Sequence, residues 1–243
     1  MYSKLLLPNN ADLALLFGKS FNRTSSLYSK AKYIWEIPEY KDWGVPLDNI
    51  AGSKNWRRVL LEQRGVKSHA LGGVIWKGRV ISGSGAIVPL MKTILWRKLK
   101  NIPHYTHVVV TRPDQFYTRK IIINPSRNII VPEGEDYGGI CDRWVCVPWD
   151  DIPKTFNILR PVVRYPRKHR TLIRKSNPER LWMHTLKTSG LFSKIKRVQR
   201  FCFTAYADSD KTRWNKQMLT RGKFLVGISA KYPKEYQRAI FQL

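Results

Sequence analysis

The sequence predicts an α+β fold, with a mainly antiparallel sheet, several amphipathic helices and long basic extended segments. Three observations indicate this class: runs of β-branched residues separated by turn residues, amphipathic stretches bounded by capping residues, and basic stretches interrupted by proline. The chain has 243 residues, of which 43% are hydrophobic and 12% aromatic, a composition typical of a protein with a core. Charge divides it into residues 1–50, an α+β body at 51–153 and a basic α/β region at 154–243.

Residues 1–50 are predicted to form an N-terminal extension. Asn10 is suited to cap a short helix that runs to Phe17. After it, the aromatic residues of 33–46 are mixed with Pro38 and Pro46. This mixture predicts an extended arm that docks on a neighbouring protein.

The first 33 residues have the composition of an organellar targeting segment. Five basic residues and several hydroxyl side chains accompany the single acid Asp12, and transit segments are basic, hydroxyl-rich and poor in acids. Three interpretations remain open: an import signal that is not cleaved, synthesis of the protein inside the organelle, or an ordinary helix followed by a loop.

The body at 51–153 is predicted to begin with a basic, one-sided helix that Ser53 caps and Gly65 ends. Lys77 and Gly78 are placed to turn a hairpin. A second helix, over 86–101, tolerates Pro89 because its first turn needs no backbone donor there. Four strands are predicted after it, at residues 105–113, 119–125, 128–134 and 138–149.

The region at 154–243 opens with the stretch RPVVRYPRKHRTLIRK at 160–175. Pro161 and Pro166 disfavour a helix, so we expect this stretch to be extended. The next stretch predicts a helix with Ser176 or Asn177 as its cap, proline at its first position and Gly190 at its end. A strand, a helix and a strand should follow, at residues 193–207, 209–222 and 223–232.

The chain carries 44 Lys and Arg against 17 Asp and Glu, a net charge of +27. The net charge is +1 in residues 1–50, +13 in 51–132 and +18 in 154–243, whereas 133–153 carry −5. Because the positive excess recurs through two long, aromatic-rich stretches, we expect the folded surface itself to be basic. Such self-repulsion is uncommon in a free soluble enzyme, and it indicates a polyanionic partner.

Arginine and lysine side chains of the two basic stretches are the candidate nucleic-acid ligands, because planar guanidinium groups match the geometry of phosphate. In the stretch 160–175, Tyr165 and His169 add faces on which bases can stack. RNA is favoured over DNA because no recognition-helix, zinc-finger or basic-zipper pattern is present. The predicted RNA-binding residues are Arg57, Arg58, Arg97, Lys98, Lys100, Arg160, Arg164, Arg167, Lys168, Arg170, Arg174, Lys175, Lys194, Lys196, Arg197 and Arg200.

The cysteines indicate a reducing compartment, and the hydropathy pattern indicates that no segment spans a membrane. Cys141, Cys146 and Cys202 form an odd set without a tightly spaced pair, which indicates free thiols rather than disulfides or a zinc site. No apolar stretch approaches the roughly 20 residues that span a bilayer. We therefore expect no membrane insertion, no metal and no cofactor.

These patterns predict a structural RNA-binding protein of a large ribonucleoprotein, foremost a mitochondrial ribosomal protein in the matrix. Its expected partners are rRNA and neighbouring ribosomal proteins, and neither catalysis nor a free homo-oligomer is expected. A peripheral protein of an anionic membrane is disfavoured, because the basic residues are not confined to one amphipathic helix.

An alternative function is an RNA-processing or ribosome-assembly factor, with nuclease-type chemistry at a metal ion that the acidic window 133–151 would hold. The competing interpretation of that window is a solvated turn, or a counter-charge for the chain's own basic residues. Its acidic residues are Glu133, Glu135, Asp136, Asp142, Asp150 and Asp151.

Overall fold

The computed structural model describes residues 1–18, 23–62, 69–207, 217–218 and 228–241. Its α-helices are α1 (Ser26–Lys30), α2 (Val45–Ala51), α3 (Asn55–Leu61), α4 (Ile87–Leu99), α5 (Ile152–Phe156), α6 (Leu159–Arg164), α7 (Pro166–Lys175), α8 (Pro178–Thr188) and α9 (Pro233–Ile240). Short π- or 3-10-helical turns lie at Tyr2–Leu6, Leu7–Asn9, His69–Leu71, Trp149–Asp151 and Phe192–Lys194. No helix in these residues is long and apolar enough to cross a membrane.

The strands form several sheets, in which most neighbours are antiparallel. They are β1 (Ala14–Gly18), β2 (Tyr33–Ile37), β3 (Ile75–Trp76), β4 (Arg79–Val80), β5 (His107–Thr111), β6 (Gln115–Tyr117), β7 (Ile129–Pro132), β8 (Trp144–Pro148), β9 (Ile195–Val198), β10 (Cys202–Ala207), β11 (Gln217–Met218) and β12 (Ile228–Ala230). Helices and mainly antiparallel sheets occur together, so the predicted α+β class is confirmed.

A four-stranded sheet in the order β5-β8-β7-β9 separates two hydrophobic clusters. β8 is antiparallel to β5 and β7, whereas β7 and β9 are parallel. Successive side chains of a strand point to opposite faces. In β8, Trp144 and Cys146 enter the smaller cluster, while Val145 and Val147 enter the larger one. Because both faces are covered, this strand is a continuous apolar run in the sequence.

Helices cover the larger hydrophobic cluster. Leu90 of α4, Phe156 of α5 and Trp182 of α8 are fully buried in it. α2 packs on α6, and α3 packs on α7. Leu47, from the predicted N-terminal extension, is also fully buried in this cluster. The cluster therefore contains side chains from all three predicted segments.

A second four-stranded sheet, in the order β11-β12-β10-β6, carries the C-terminal helix. α9 packs on β10, where Ala239 lies in a small cluster with Phe203 and Ala230. The smaller sheets are the parallel pair β1-β2 and the hairpin β3-β4. The hairpin turns where predicted: Lys77 has φ 49° and Gly78 has φ 73°, and a turn of this hand favours glycine.

The helices predicted after Ser53, around Pro89 and after Asn177 are confirmed as α3, α4 and α8. Oδ1 of Asn177 accepts a hydrogen bond from the N–H of Arg180 at 2.9 Å, as an N-cap side chain does. The predicted end of α3 at Gly65 lies outside the described residues.

The N-terminal helix prediction is wrong, because residues 14–18 are strand β1, parallel to β2. Asn10 instead ends the preceding helical turn, with a left-handed φ of 46°. Asn9 ties this segment to the body: its amide donates to the carbonyl of Ile121 at 2.7 Å, and its Oδ1 accepts from the N–H of Ile123 at 2.7 Å. Pairing with β2 gives hydrogen-bond partners to backbone N–H and C=O groups of β1. A helix of this length would be only marginally stable on its own.

Two further predictions differ from the structure. Residues 119–125 are irregular rather than a strand, because the N-terminal turn takes their backbone groups; the N–H of Ile121, for example, donates to the carbonyl of Lys4 at 2.8 Å. In the predicted helix 209–222, Gln217 and Met218 form β11, and its other residues lie outside the described ones. Strands are confirmed within the other predicted ranges, as β5, β7, β8, β9, β10 and β12.

The stretch 160–175 is helical rather than extended, which corrects the central structural expectation. Pro166 is the first residue of α7, and Pro161 lies in the first turn of α6. The first four N–H groups of a helix have no partner within it, so a proline at these positions removes no helix bond. The backbone of Tyr165, with φ −122° and ψ 57°, divides the two helices.

Candidate nucleic-acid interface

Helix α7 exposes a dense group of positive charges. Its buried side chain is Ile173, which anchors the helix to the larger hydrophobic cluster. The side chains exposed around the rest of the helix are mostly basic, and we call these basic residues the basic crest of α7. The basic crest consists of Arg167, Lys168, Arg170, Arg174 and Lys175.

The charges of the basic crest are not balanced by the described part of the protein. No side chain of the crest forms an ion pair with a carboxylate in the described ranges. Arg167 and Lys168 lie in the first turn of α7, where the helix dipole disfavours positive charge. Arg170 and Arg174 are four residues apart, a spacing at which like charges repel. An external anion would relieve both effects.

A groove of about 450 Å³ lies where α3 packs against α7. It is lined by Arg58, Val59 and Glu62 of the α3 side and by Arg167 and Arg170 of α7. Glu62 is engaged elsewhere, since its Oε1 lies 3.2 Å from Nζ of Lys77. Three arginines therefore converge on one groove from two helices, and the predicted site residue Arg58 joins those of α7.

A second groove, of about 430 Å³, lies on the other side of α7, towards α6 and α8. The rings of His169 and His184 meet there edge to face, with centroids 5.9 Å apart. Burial lowers the pKa of His169, and the charges of His184 and Lys168 lower it further. Burial, Lys168 and Lys187 lower the pKa of His184 in the same way. The pKa of each imidazole therefore lies below its usual value of 6.5, so the neutral form predominates at pH 7.

Two arginines beside the crest have mixed roles. Arg164 is exposed, but its Nε donates to the carbonyl of Ile50 at 3.2 Å and so joins α6 to α2. Arg160 is half-buried on α6. We therefore place Arg164 at the margin of the candidate interface, because its removal would also alter helix packing.

Arg57 was predicted to be an RNA-binding residue, which requires an exposed side chain, but the structure buries it. It is 7% exposed, and its guanidinium meets Oδ2 of Asp42 and Oδ2 of Asp48, each at 2.8 Å. It also donates to the carbonyl of Ile75 at 2.7 Å. A side chain at Gly44 would collide with this guanidinium. Arg57 joins α2, α3 and hairpin β3-β4 and offers no donor to an external phosphate.

Arg200 is likewise buried, at 2% exposure, although its sequence context suggested a surface patch. Its Nη1 lies 2.7 Å from Oε1 of Glu235, which Nη1 of Arg143 approaches at 3.1 Å. The second oxygen of Glu235 accepts from the N–H of Thr204 at 2.9 Å. Two guanidinium groups on one carboxylate fasten α9 to the body, which is a structural task.

The patch at 194–197 is partly neutralised within the protein. Nζ of Lys194 lies 2.7 Å from Oδ2 of Asp151, and Nη1 of Arg197 lies 2.9 Å from Oδ1 of Asp136. Lys196 is exposed on β9. β9 is an edge strand of its sheet, and lysine on an edge strand also discourages pairing with another chain.

The basic end of α4 is placed as the helix dipole favours. Arg97 and Lys98 lie in the last turn, where positive charge is stabilising. Lys100 follows the helix, and its Nζ lies 4.5 Å from the ring centroid of Trp96. Arg97 and Lys100 are exposed, but the helix itself explains their position. The same holds for Arg174 and Lys175 in the last turn of α7, but not for Arg167 and Lys168 in its first turn.

The acidic window serves largely as counter-charge. Besides Asp136 and Asp151, Asp142 is engaged, since its Oδ2 lies 3.3 Å from Nζ of buried Lys92. Asp150 is 91% exposed and lies 3.5 Å from His104. Within the described residues, no group of three or more His, Cys, Asp or Glu side chains is placed to hold a metal ion. Cys141, Cys146 and Cys202 are buried free thiols.

The sequence reasoning missed His184 and Thr188 of the second groove. They are four residues apart on α8 and so share a helix face. Tyr165, Lys168 and Leu172 have the matching helical spacing on the facing side. Had the stretch 160–175 been interpreted as helical, this periodicity would have grouped them.

Comparisons with known proteins found no match, whether with family models, with curated proteins or with solved structures. The chain's own geometry and charge are therefore the basis for assigning it a function.

Proposed function

We propose that this protein is a structural RNA-binding component of a large ribonucleoprotein, foremost a mitochondrial ribosome. The observation that carries the proposal is the basic crest of α7, whose exposed charges find no ion-pair partner in the described part of the chain. RNA supplies the missing partner, because its phosphates form a closely spaced series of negative charges. Arginine adds planar donors that bind phosphate oxygens in pairs.

The crest is also held in place, as a structural contact requires. Ile173 fixes α7 to the larger cluster, and α3 packs along its side. Binding to a prearranged surface loses less conformational entropy than binding by a disordered basic tail. The folded setting of the charges thus favours a permanent contact over a loose electrostatic one.

The mitochondrial part of the proposal rests on the composition of the first 33 residues. In the structure Leu5 is buried in the smaller cluster, together with Tyr117 and Phe201. A segment packed in this way contributes to stability. If it directs import, we infer that it remains part of the folded protein afterwards.

The near-neutral residues 1–50 are the proposed contact with neighbouring proteins. Among the described residues of this part, four large apolar side chains are exposed: Tyr2, Leu7, Ile34 and Val45. Protein interfaces are depleted of charge at their centre and enriched in aromatic residues. RNA and protein contacts would then occupy different surfaces of the same molecule.

The ion pairs of the acidic window favour the structural role over a metal-dependent nuclease. Asp136, Asp142 and Asp151 each contact a basic side chain of this chain. A carboxylate engaged in this way would have to exchange its partner before it could bind Mg²⁺. These ion pairs support the interpretation of the acidic window as counter-charge for the chain's own basic residues.

Sedimentation of the tagged protein in a density gradient at moderate salt tests the proposal. We expect the wild-type protein to comigrate with one ribosomal subunit and to leave those fractions after RNase treatment. The variant Arg167→Gln/Arg170→Gln/Arg174→Gln should remain near the top of the gradient, because it lacks three phosphate contacts.

The control is Lys41→Gln/Lys120→Gln/Lys154→Gln, which removes three exposed lysines from elsewhere on the surface. It should comigrate like the wild type. Normal comigration of the α7 variant, or the absence of wild-type protein from all ribonucleoprotein fractions, would contradict the proposal.

A further inference from the structure

The groove between α6, α7 and α8 differs in character from the basic groove beside it. Its lining is mainly apolar and aromatic, with Tyr165, His169 and Leu172 on one side and His184 and Thr188 on the other. No carboxylate is among the described residues that line it. Its volume of about 430 Å³ lies within the range of small-ligand sites.

The walls of this groove suit a flat, polar ring. Tyr165 lines the groove and is 64% exposed, so its ring is accessible to a stacking partner. The neutral imidazoles of His169 and His184 each offer one nitrogen donor and one acceptor. Bases that leave an RNA stack are bound by stacking on aromatic side chains and by hydrogen bonds to their edges.

The rim of the groove is positive. Lys168 is part of the lining and also belongs to the basic crest, so the crest continues directly into the groove. Arg164 is exposed at the end of α6, next to Tyr165. A polyanion lying along the crest would pass over the mouth of the groove, and this charge complementarity distinguishes RNA from an apolar peptide as its occupant.

We propose that this groove receives a single unstacked base of the bound RNA, while the flanking phosphates lie on the basic crest of α7. The proposal rests on the proposed RNA-binding function and deepens it: the preferred ligand is a helix with a bulged or looped-out nucleotide. The crest supplies affinity for any RNA, and the groove supplies preference for an interrupted helix.

Binding of two RNA hairpins of equal charge to the full-length protein tests this inference. One hairpin carries a single bulged 2-aminopurine, and the other has an uninterrupted stem with 2-aminopurine in a base pair. We expect the wild-type protein to bind the bulged hairpin more tightly and to change its 2-aminopurine fluorescence.

Two variants locate this preference. Tyr165→Ser removes a stacking face and should weaken binding of the bulged hairpin by about fivefold to a hundredfold, with little effect on the uninterrupted one. Thr188→Leu narrows the groove from α8 and leaves the crest intact, so it should also remove the preference. Phe241→Ser, which removes a 75% exposed aromatic side chain outside both grooves, is the matched control and should behave like the wild type.

The outcomes separate the two proposals. If both hairpins bind with equal, salt-dependent affinity and the fluorescence does not change, the groove proposal is overturned but the RNA-binding function is retained. The groove would then be assigned to an apolar side chain of a partner protein instead of a base. A preference that survives in both Tyr165→Ser and Thr188→Leu would also overturn it. Failure to bind either hairpin would instead overturn the proposed function, on which the inference rests.

Discussion

Arg57 and Arg58 are adjacent in α3 and lie in opposite environments. The guanidinium of Arg57 is buried between Asp42 and Asp48, whereas Arg58 is exposed and lines the groove that faces the basic crest of α7. Arg200 and Arg143 repeat the first environment around Glu235. The described part of the chain thus contains two kinds of arginine: buried ones that are paired with carboxylates and hold the fold together, and exposed ones that have no ion-pair partner there.

This difference changes what a substitution should do. Removing one member of a buried ion pair leaves an uncompensated charge in a medium of low polarity. Removing an exposed, unpaired arginine leaves nothing uncompensated and relieves repulsion. Stability and RNA affinity should therefore respond to different arginines.

The largest expected effect is at Glu235. Glu235→Gln would leave the guanidinium groups of Arg143 and Arg200 buried without a counter-charge, and we expect it to lower the free energy of unfolding by about 4 kcal/mol. Urea denaturation followed by tryptophan fluorescence measures this change. Asp150→Asn, at a 91% exposed carboxylate, is the control and should lie within about 0.5 kcal/mol of the wild type. A similar small change for Glu235→Gln would show that the buried triad is unimportant.

The adjacent pair gives the sharpest contrast. Arg57→Gln should lower the free energy of unfolding by about 3 kcal/mol, because Asp42 and Asp48 lose their partner. Arg58→Gln should change it by less than about 0.5 kcal/mol but weaken RNA binding. Denaturation and RNA titration of both variants measure the two effects. Equal losses of stability would erase the distinction between the two populations.

Acid unfolding should reveal the contribution of the buried cluster of Arg57, Asp42 and Asp48 to stability. Burial by itself raises the pKa of Asp42, but hydrogen bonds from the N–H groups of Ile75 and Gly44, together with Arg57, outweigh it, so the pKa lies below its usual value of 3.8. The unfolded chain then binds the proton more readily, so this carboxylate stabilises the fold above pH 3.8 and ceases to do so as the pH falls through the lowered pKa. Stability measured from pH 5 to pH 2 should decrease more steeply in the wild type than in Arg57→Gln. Parallel curves would contradict this assignment.

The smallest effect has the opposite sign. Arg167→Gln removes a positive charge from the first turn of α7 and should raise the free energy of unfolding by a few tenths of 1 kcal/mol at low salt. The gain should disappear at high salt, since such surface interactions are screened. Thermal unfolding at both salt concentrations checks this. A loss of stability would mean that Arg167 has a partner within the fold.

The sequence was most informative where short-range rules govern. A cap at Ser176 or Asn177, the hairpin at Lys77 and Gly78 and a strand over the apolar run of β8 were all predicted, because capping, turn geometry and strand propensity depend on neighbouring residues. The helices of 160–175 were missed for a local reason too: Pro161 and Pro166 were interpreted as helix breakers, although the first turn of a helix accepts proline.

The site residues were harder to predict. Arg57 and Arg58 share the same sequence context, and only the fold brings Asp42 and Asp48 to one of them. Glu235 lies 35 residues from Arg200 and 92 from Arg143, so no local pattern could indicate their contact. The net charge predicts a polyanionic partner, whereas the tertiary structure decides which of the charges are exposed.

The salt dependence of RNA binding tests the central claim most directly. Binding constants for one structured RNA would be measured from 50 to 300 mM KCl for the wild type, Arg167→Gln/Arg170→Gln/Arg174→Gln, and the charge-matched control Lys41→Gln/Lys120→Gln/Lys154→Gln. If the basic crest binds phosphates, the plot of log affinity against log salt should become less steep by about 2 to 3 in the α7 variant, because three contacts no longer release counterions. The control should keep the wild-type slope. An unchanged slope and affinity in the α7 variant, or an equal decrease in the control, would show that the crest is not the RNA-binding surface.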